Sequence, residues 1–174
     1  RAIRSHRWVG ENVPLNMDTE VSAVGSFNGV VVKGRADLLL TDAIVDVKKM
    51  SGVDLRTITN TIFRFGYHIQ GAVYRKLFDR SRVILICVED KRPFDCVPVE
   101  LMDDVLDRGE DEASEVIDQY RFAVKTNTFA GQSDDLVGRR RDGPVARRRW
   151  RGVVVRRWSS APRGTSGAYR DRAR

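Results

Sequence analysis

Cysteine, proline, histidine and aromatic residues are all scarce in this chain of 174 residues. It has two cysteines, five prolines and two histidines, and aromatic residues make up 8% of it. Two cysteines exclude a cluster held by four thiolates, and with no sign of secretion they favour buried free thiols over a disulfide. No apolar run approaches the ~20 residues that cross a membrane, and no secretory signal is visible, so we expect no membrane partner.

Two further absences concern the ends of the chain. The first residue is Arg rather than Met, and residues 1–17 show no sustained period, so we expect residues 1–18 to be the stub of a longer domain. Lysine is absent from residues 138–174, which hold 13 Arg and two Asp and carry a net charge of +11. The overall charge of +7 therefore leaves the rest of the chain mildly acidic. We divide the chain into this stub, a core at residues 19–130, and an Arg-rich tail at residues 131–174.

The tail is expected to be disordered because it is rich in Arg, Gly and Ser and has little periodicity. Three interpretations remain open. It could be an arm that grips nucleic acid, with Trp150 and Trp158 stacking between arginines. It could equally be a solvated extension, or a GC-rich frame read out of phase. No prediction about the site depends on it.

The core alternates between strand-like and helix-like stretches. Three strands in a meander are followed by two short helices, two more strands and one long helix, which predicts a mixed α/β layer. The predicted strands lie near residues 19–28, 30–40, 43–50, 82–89 and 94–101, and the helices near 54–64, 67–78 and 103–126. Pro98 suggests that the last strand lies at an edge of the sheet. The long helix is expected to bury a stripe of Val105, Ala113, Val116, Ile117, Tyr120 and Val124.

Two carboxylates and one amine are predicted to meet on neighbouring strands. Asp46 and Lys48 point to the same face of one strand because side chains alternate. A short turn brings Asp37 beside Asp46. Carboxylates, with the Val47 carbonyl as a further oxygen, suit Mg²⁺ and the hydrolysis of a phosphodiester, and the lysine could orient the attacking water. Taken alone, however, these residues could also be ordinary polar groups on a half-exposed sheet face.

The helix after the third strand adds a second polar group. Tyr67, Gln70 and Tyr74 are spaced so that they share one helix face, opposite Ile69, Val73 and Leu77. That polar face could line the site, with Gln70 contacting a phosphate or a water. The alternative is that the tyrosines are core residues and Gln70 is on the surface.

Together these segments resemble a known family. The order of GRAD, a hydrophobic strand with D-x-K, and then GYHIQGAVY is similar to the pattern of the PD-(D/E)xK nucleases, in particular the exonuclease VIII and RecB-like phage-type exonucleases. The resemblance covers roughly residues 20–125. It implies an α/β fold of the restriction-endonuclease type, in which a mixed β-sheet is flanked by helices.

The resemblance also implies a site and a function. Asp37 and Asp46, with the Val47 carbonyl, would bind Mg²⁺, or Mn²⁺ as an alternative. Lys48 would be the catalytic lysine, and Gln70 and Tyr74 would line the site. Further DNA contacts are expected from Arg35, Tyr67 and His68.

The implied protein is a DNA exonuclease of phage recombination or DNA repair, in the cytoplasm of a bacterium or a phage-infected host. It would act on duplex ends, with a single-strand annealing protein or further copies of itself as partners. The chain departs from the family in its upstream part, where a helix often supplies another ligand. His6 and Glu11 are the only nearby candidates, and neither lies in a convincing predicted helix. The alternatives are a degenerate nucleic-acid-binding module and an endonuclease on the same fold.

Overall fold

One mixed sheet with helices on both faces forms the body of the protein. This computed structural model describes residues 2–14, 16–129 and 155–157. The strands are β1 (Thr19–Phe27), β2 (Val30–Leu39), β3 (Ala43–Met50), β4 (Arg82–Glu89), β5 (Cys96–Leu101) and β6 (Val155–Arg157). The helices are α1 (Ala2–Ser5), α2 (Arg7–Asn12), α3 (Leu55–Arg64), α4 (Tyr67–Leu77) and α5 (Asp103–Thr126). The prediction of three strands, two helices, two strands and a long helix is confirmed.

The strands lie in the sheet in sequence order, and only the β3–β4 pair is parallel among the described strands. Asn28 and Gly29, both with positive φ, make the tight turn between β1 and β2 that the sequence predicts. Helices α3 and α4 supply the crossover from β3 to β4, as parallel neighbours require. β3 and β4 are therefore central strands, and β3 is the strand that bears Asp46 and Lys48.

The core has two parts, one on each face of the sheet. The larger part packs α3, α4 and α5 against residues such as Ile44, Leu85 and Val99. On the opposite face, Trp8 and Val9 of α2 pack against a group that comprises Ala43, Val45, Ile84, Ile86 and Cys96. The expectation that residues 1–17 hold no convincing helix is therefore corrected, because this segment forms α1 and α2. That residues 1–18 are the stub of a longer domain stays a prediction. Burial of the Trp8 and Val9 side chains holds this segment against the sheet.

The edge position predicted for β5 is wrong, because β5 pairs with β4 on one side and with β6 on the other. Among the described residues, β6 pairs with Val99, Glu100 and Leu101, and Pro98 immediately precedes this stretch. β6 also places three residues of the predicted tail in the sheet, with Val155 buried. The rest of residues 131–174 lies outside the described residues, and so do Trp150 and Trp158.

Helix α5 buries a shorter stripe than the sequence suggests. Its buried residues are Val105, Leu106, Gly109 and Ala113, whereas Val116, Tyr120 and Val124 are 58%, 51% and 52% exposed. The reason is length, since α4 has 11 residues and α5 has 24. At 1.5 Å per residue α5 extends about 20 Å farther than its partner, so the second half has no described helix to pack on. No helix among the described residues is long and apolar enough to cross a membrane.

Both cysteines are free and buried, as predicted. Burial raises the pKa of Cys87 to about 12 and that of Cys96 to about 11. Near neutral pH we expect almost no thiolate at either position, so the folded protein should react negligibly with a disulfide reagent that titrates thiols. Both thiols should react at once after unfolding in guanidinium. Rapid reaction of the native protein would contradict this burial.

Candidate active site

The candidate site lies where β2 and β3 separate. These strands are paired at only two positions, Leu38 with Val45 and Leu39 with Ile44, although β2 pairs with β1 along nearly its whole length. Beyond these two pairs, a side chain replaces the backbone carbonyl as the partner of β3. Asp37 Oδ2 accepts a hydrogen bond of 2.7 Å from the Val47 N–H. The carboxylate of Asp37 is thereby held in the gap between the strands, next to the residue that follows Asp46.

Asp46 and Lys48 form a buried ion pair on β3. The Asp46 residue is only 6% exposed, and its Oδ2 contacts the Lys48 Nζ. Lys48 also donates a hydrogen bond of 2.8 Å to Gln70 Oε1 and lies over the ring of Tyr67, with 4.4 Å between Nζ and the ring centroid. The lysine is thus fixed by groups from both β3 and the first turn of α4. Gln70, which the sequence interpretation expected to line the site, lies against the Lys48 amine.

The surroundings of Asp46 disfavour its ionised form. Burial raises the pKa of Asp46 above its ordinary value, Lys48 acts in the opposite direction, and the charge of Asp37 raises it further. The two carboxylates are therefore electrostatically coupled. A divalent cation between them would favour both ionised forms, and two carboxylates with the nearby Val47 carbonyl are the hard oxygen donors that Mg²⁺ or Mn²⁺ requires. The residues present fit such an ion.

A third acidic or histidine ligand is not found. Within the described part of the chain, no group of three or more His, Cys, Asp or Glu side chains is arranged to hold a metal ion. His6 lies buried at the N-terminus of α2, and Glu11 is an α2 residue that pairs with Arg7 at 2.6 Å. Glu11 therefore does lie in a helix, but its carboxylate is engaged in an exposed ion pair.

Tyr74 approaches a neighbouring part of the site. Its hydroxyl accepts a hydrogen bond of 3.2 Å from the Arg35 N–H on β2. A Cβ at Gly34 would lie 2.7 Å from the Tyr74 ring, so only glycine allows the ring this close to the strand. Gly34, which the sequence interpretation did not select, therefore helps to place α4 on β2. Tyr74 braces the backbone beside Asp37.

The residues predicted to contact DNA occupy three different environments. Arg35 is exposed and pairs with Glu20, and Tyr67 is half-buried beneath Lys48. His68 is only 2% exposed, and its Nε2 lies 3.0 Å from Glu112 Oε2 on α5. The prediction that His68 contacts DNA is therefore corrected, because its ring faces α5 in the interior. The contacts of Arg35 and Tyr67 with DNA stay predictions.

The buried face of α4 agrees only in part with the apolar face predicted from the sequence, which also included Ala72. His68, Gly71 and Ala72 are its buried residues, whereas Ile69 and Val73 are only partly buried. Helical spacing alone allowed either face to be buried. Gly71 and Gly109 decide the matter, because the lack of a side chain lets α4 and α5 approach closely along this line. Glu112, which contacts His68, and Arg108, which contacts Glu112, could not be found from the sequence, since no local pattern links Glu112 to a residue 44 positions away.

Comparison with known proteins agrees with this architecture. Residues 6–136 match a family described as a PDDEXK-like domain of unknown function. A protein from Eubacterium rectale, assigned as an exonuclease and known from a crystal structure, shares 17% identity with a TM-score of 0.62. The match covers 79% of this chain and 57% of that protein, so the chain spans little more than half of its length.

A second solved structure, that of SSO0001, has 21% identity and a TM-score of 0.38 over 63% of this chain and 54% of that one, which is too low to support an argument. No curated protein matches the chain significantly. The structural similarity at 17% identity supports the predicted fold, a mixed sheet flanked by helices as in restriction endonucleases. Because the family match extends over most of the sequence, the chain belongs to the family of PDDEXK-like domains, a nuclease-type family.

Proposed function

We propose that this domain hydrolyses phosphodiester bonds in DNA with the aid of a divalent cation, Mg²⁺ or alternatively Mn²⁺. The observation that carries the proposal is the environment of Lys48. Its ammonium is held between the buried Asp46 carboxylate and Gln70. The Asp37 carboxylate of β2 is hydrogen-bonded to β3 at Val47, the residue between Asp46 and Lys48. The Lys48 amine is thus oriented by β3 and by α4, as a group that acts on a bound phosphate would need to be.

Each residue has a distinct role in this proposal. Asp37, Asp46 and the Val47 carbonyl would hold the cation, which supplies Lewis acidity and neutralises phosphate charge. Lys48 would orient the attacking water or donate to the phosphoryl oxygens as negative charge develops on them. Gln70 fixes the direction of the Lys48 amine. Tyr74 holds the β2 backbone beside Asp37, and Arg35 and Tyr67 would contact the nucleic acid.

The finer form of the proposal is an exonuclease that acts on the ends of linear duplex DNA in phage recombination or DNA repair. A single-strand annealing protein and further copies of the chain are proposed as partners, in a bacterial or phage-infected cytoplasm. Linear and covalently closed circular duplexes, each incubated with Mg²⁺ or Mn²⁺, test it. An exonuclease digests the linear form and leaves the circle intact. Cleavage of the circle would indicate an endonuclease instead.

A degenerate binding module is the second candidate, favoured by the absence of a third acidic or histidine ligand among the described residues. It predicts that the protein binds duplex DNA in a gel-shift assay with a steep dependence on salt. It also predicts that neither Mg²⁺ nor Mn²⁺ produces nucleotides from linear DNA. Cation-dependent digestion would exclude this candidate.

Gln70→Ala should lower the rate of cleavage without unfolding the protein. The variant removes the 2.8 Å hydrogen bond to Lys48 Nζ, so the amine shifts toward its remaining partner, the Asp46 carboxylate. We expect kcat to fall about 10- to 100-fold, the effect of misplacing a catalytic group, and stability to fall by only about 1 kcal/mol. Single-turnover cleavage of linear DNA measures the first, and urea unfolding the second. Gln119→Ala, at an exposed position on α5, is the matched control and should change neither quantity.

A further inference from the structure

A partly buried polar network joins three helices on the side of α4 that faces away from Lys48. Glu112 Oε2 on α5 lies 3.0 Å from His68 Nε2 on α4, and Glu112 Oε1 accepts a hydrogen bond of 2.5 Å from Arg108. The ring of Phe63 on α3 contacts both partners of Glu112. It meets His68 edge-on, with centroids 4.8 Å apart, and Arg108 at 5.1 Å from its centroid. Four side chains therefore fix one point on α4.

The carboxylate at the centre of the network is ionised. Burial acts to raise the pKa of Glu112, but hydrogen bonds from Arg108 and His68 outweigh burial and hold that pKa below its ordinary value. Each oxygen of the carboxylate has its own partner. Charge-assisted bonds of this kind are stronger and more directional than neutral ones, so the network restricts the rotation of α4 about its axis.

The backbone of His68 is held at the same place. A Cβ at Gly109 would lie 2.3 Å from the His68 carbonyl oxygen, which means that α4 and α5 are in direct backbone contact there. Contact with Gly109 sets the distance between the helices, and the side-chain network sets their rotation. Residue 68 is therefore the position at which α5 determines the placement of α4.

Residue 68 lies within the helical turn that reaches Lys48. Tyr67 precedes it and lies under the Lys48 amine, and Gln70 follows two residues later and accepts from that amine. At about 100° per residue, the side chains of residues 68 and 70 project from opposite sides of the helix. A small rotation at His68 therefore moves Gln70 and Tyr67 relative to Lys48.

We propose that Glu112 and Arg108 are positioning residues for the proposed nuclease reaction, acting through His68 to fix the first turn of α4 and hence the Lys48 amine. The inference rests on the proposed function, because it assigns Lys48 a catalytic role. The groups that contact the Lys48 amine lie on β3 and α4, whereas Glu112 and Arg108 both lie on α5. Their effect is on the geometry with which Gln70 and Tyr67 hold it.

Glu112→Gln tests the proposal, since it keeps the shape of a partly exposed side chain and removes its charge. We expect kcat on linear duplex DNA with Mg²⁺ to fall about 10- to 100-fold while KM stays within about twofold. A second readout needs no activity. The rate at which acetic anhydride modifies Lys48, relative to the exposed Lys49 on the same strand, should rise at least about twofold as the hold of Gln70 loosens. Both are measured well below the unfolding temperature of the variant.

Glu110→Gln is the matched control. Glu110 is one half-turn from Glu112 and also ties α5 to α4, at 2.6 Å from Lys76, but it does so at the far end of α4. This variant should lose some stability and leave both kcat and the Lys48 modification rate unchanged.

Two results would overturn the inference. One is a Glu112→Gln variant in which kcat and Lys48 reactivity both remain those of the wild type, and the other is an equal effect of Glu110→Gln. If the wild-type protein cleaves no DNA with either cation, the proposed function fails. The modification rate of Lys48 then decides by itself whether the network positions the amine.

Discussion

Lys48→Met should abolish DNA cleavage and, at the same time, destabilise the folded protein at neutral pH. The loss of a cation aimed at the reacting phosphate is expected to lower kcat by about 10²- to 10³-fold or more. The structural effect follows from burial. Lys48 has a side chain that is only 14% exposed, so the expectation of a half-exposed lysine with little influence on folding is corrected.

The destabilisation arises from Asp46, which would keep its charge in the interior without a partner. Breaking a buried ion pair by removing one member costs about 3 kcal/mol of folding free energy. The folded-state pKa of Asp46 lies above its ordinary value of 3.8, and Lys48 acts to lower it. The folded variant therefore binds a proton over a wider pH interval than the wild type, and its stability falls as pH rises through that interval and recovers as pH is lowered.

The double variant Asp46→Asn with Lys48→Met separates the two effects. It should be as inactive as Lys48→Met, but it should recover most of the lost stability at neutral pH, because no unpaired charge remains. Urea unfolding of both variants across a range of pH provides the measurement. Equal stability of the single and double variants at neutral pH would show that the ion pair does not govern the fold around β3.

Gly109→Ala is expected to destabilise the protein about as much as Lys48→Met, through packing rather than through charge. The added Cβ would lie 2.3 Å from the His68 carbonyl oxygen and 2.6 Å from its carbon, and backbone atoms cannot rotate away as a side chain can. The helices α4 and α5 would have to separate, opening the core around Gly71 and Leu106. We expect a loss of about 3 kcal/mol, near the upper end for overpacking, despite the better helix propensity of alanine.

Gly10→Ala provides the control for propensity. Gly10 lies in α2. Apart from its chain neighbours and the backbone of its own helix, no atom lies within 4 Å of a Cβ placed there. The same substitution should leave stability unchanged or raise it by up to about 1 kcal/mol. Thermal unfolding followed by circular dichroism compares the two variants. A melting temperature of Gly109→Ala equal to that of the wild type would contradict the close contact of α4 and α5.

The sequence was most informative where chemistry and local pattern coincide. Alternation along residues 43–50 placed Asp46 and Lys48 on one face, and the turn at Asn28 and Gly29 fixed the β1–β2 hairpin. Helical spacing brought Gln70 to the same side as the site. Each of these features depends on residues within one element or across one turn, and so it can be deduced without knowledge of the tertiary packing.

Features that depend on distant packing could not be deduced. The β2–β3 gap exists because the Asp37 side chain replaces a backbone partner, and no local pattern marks that exchange. Burial of His68 results from Glu112 on another helix, 44 positions away. Val116 and Val124 are apolar at helical spacing, yet they are exposed because α4 ends before it can cover them. In each case the feature depends on a contact with a distant element, and the local sequence pattern does not predict where that element lies.

The most direct measurement is the release of nucleotides from linear duplex DNA by the wild type and by Asp46→Asn, with Mg²⁺ or Mn²⁺ and again with excess chelator. The variant leaves the Lys48 amine without its carboxylate but keeps its hydrogen bond to Gln70, so urea unfolding first establishes that the variant is folded under the assay conditions. We expect the wild type to digest the DNA only with a cation, and the folded variant to be inactive under all conditions. Cation-dependent digestion by Asp46→Asn at the wild-type rate would contradict a catalytic centre at Asp37, Asp46 and Lys48.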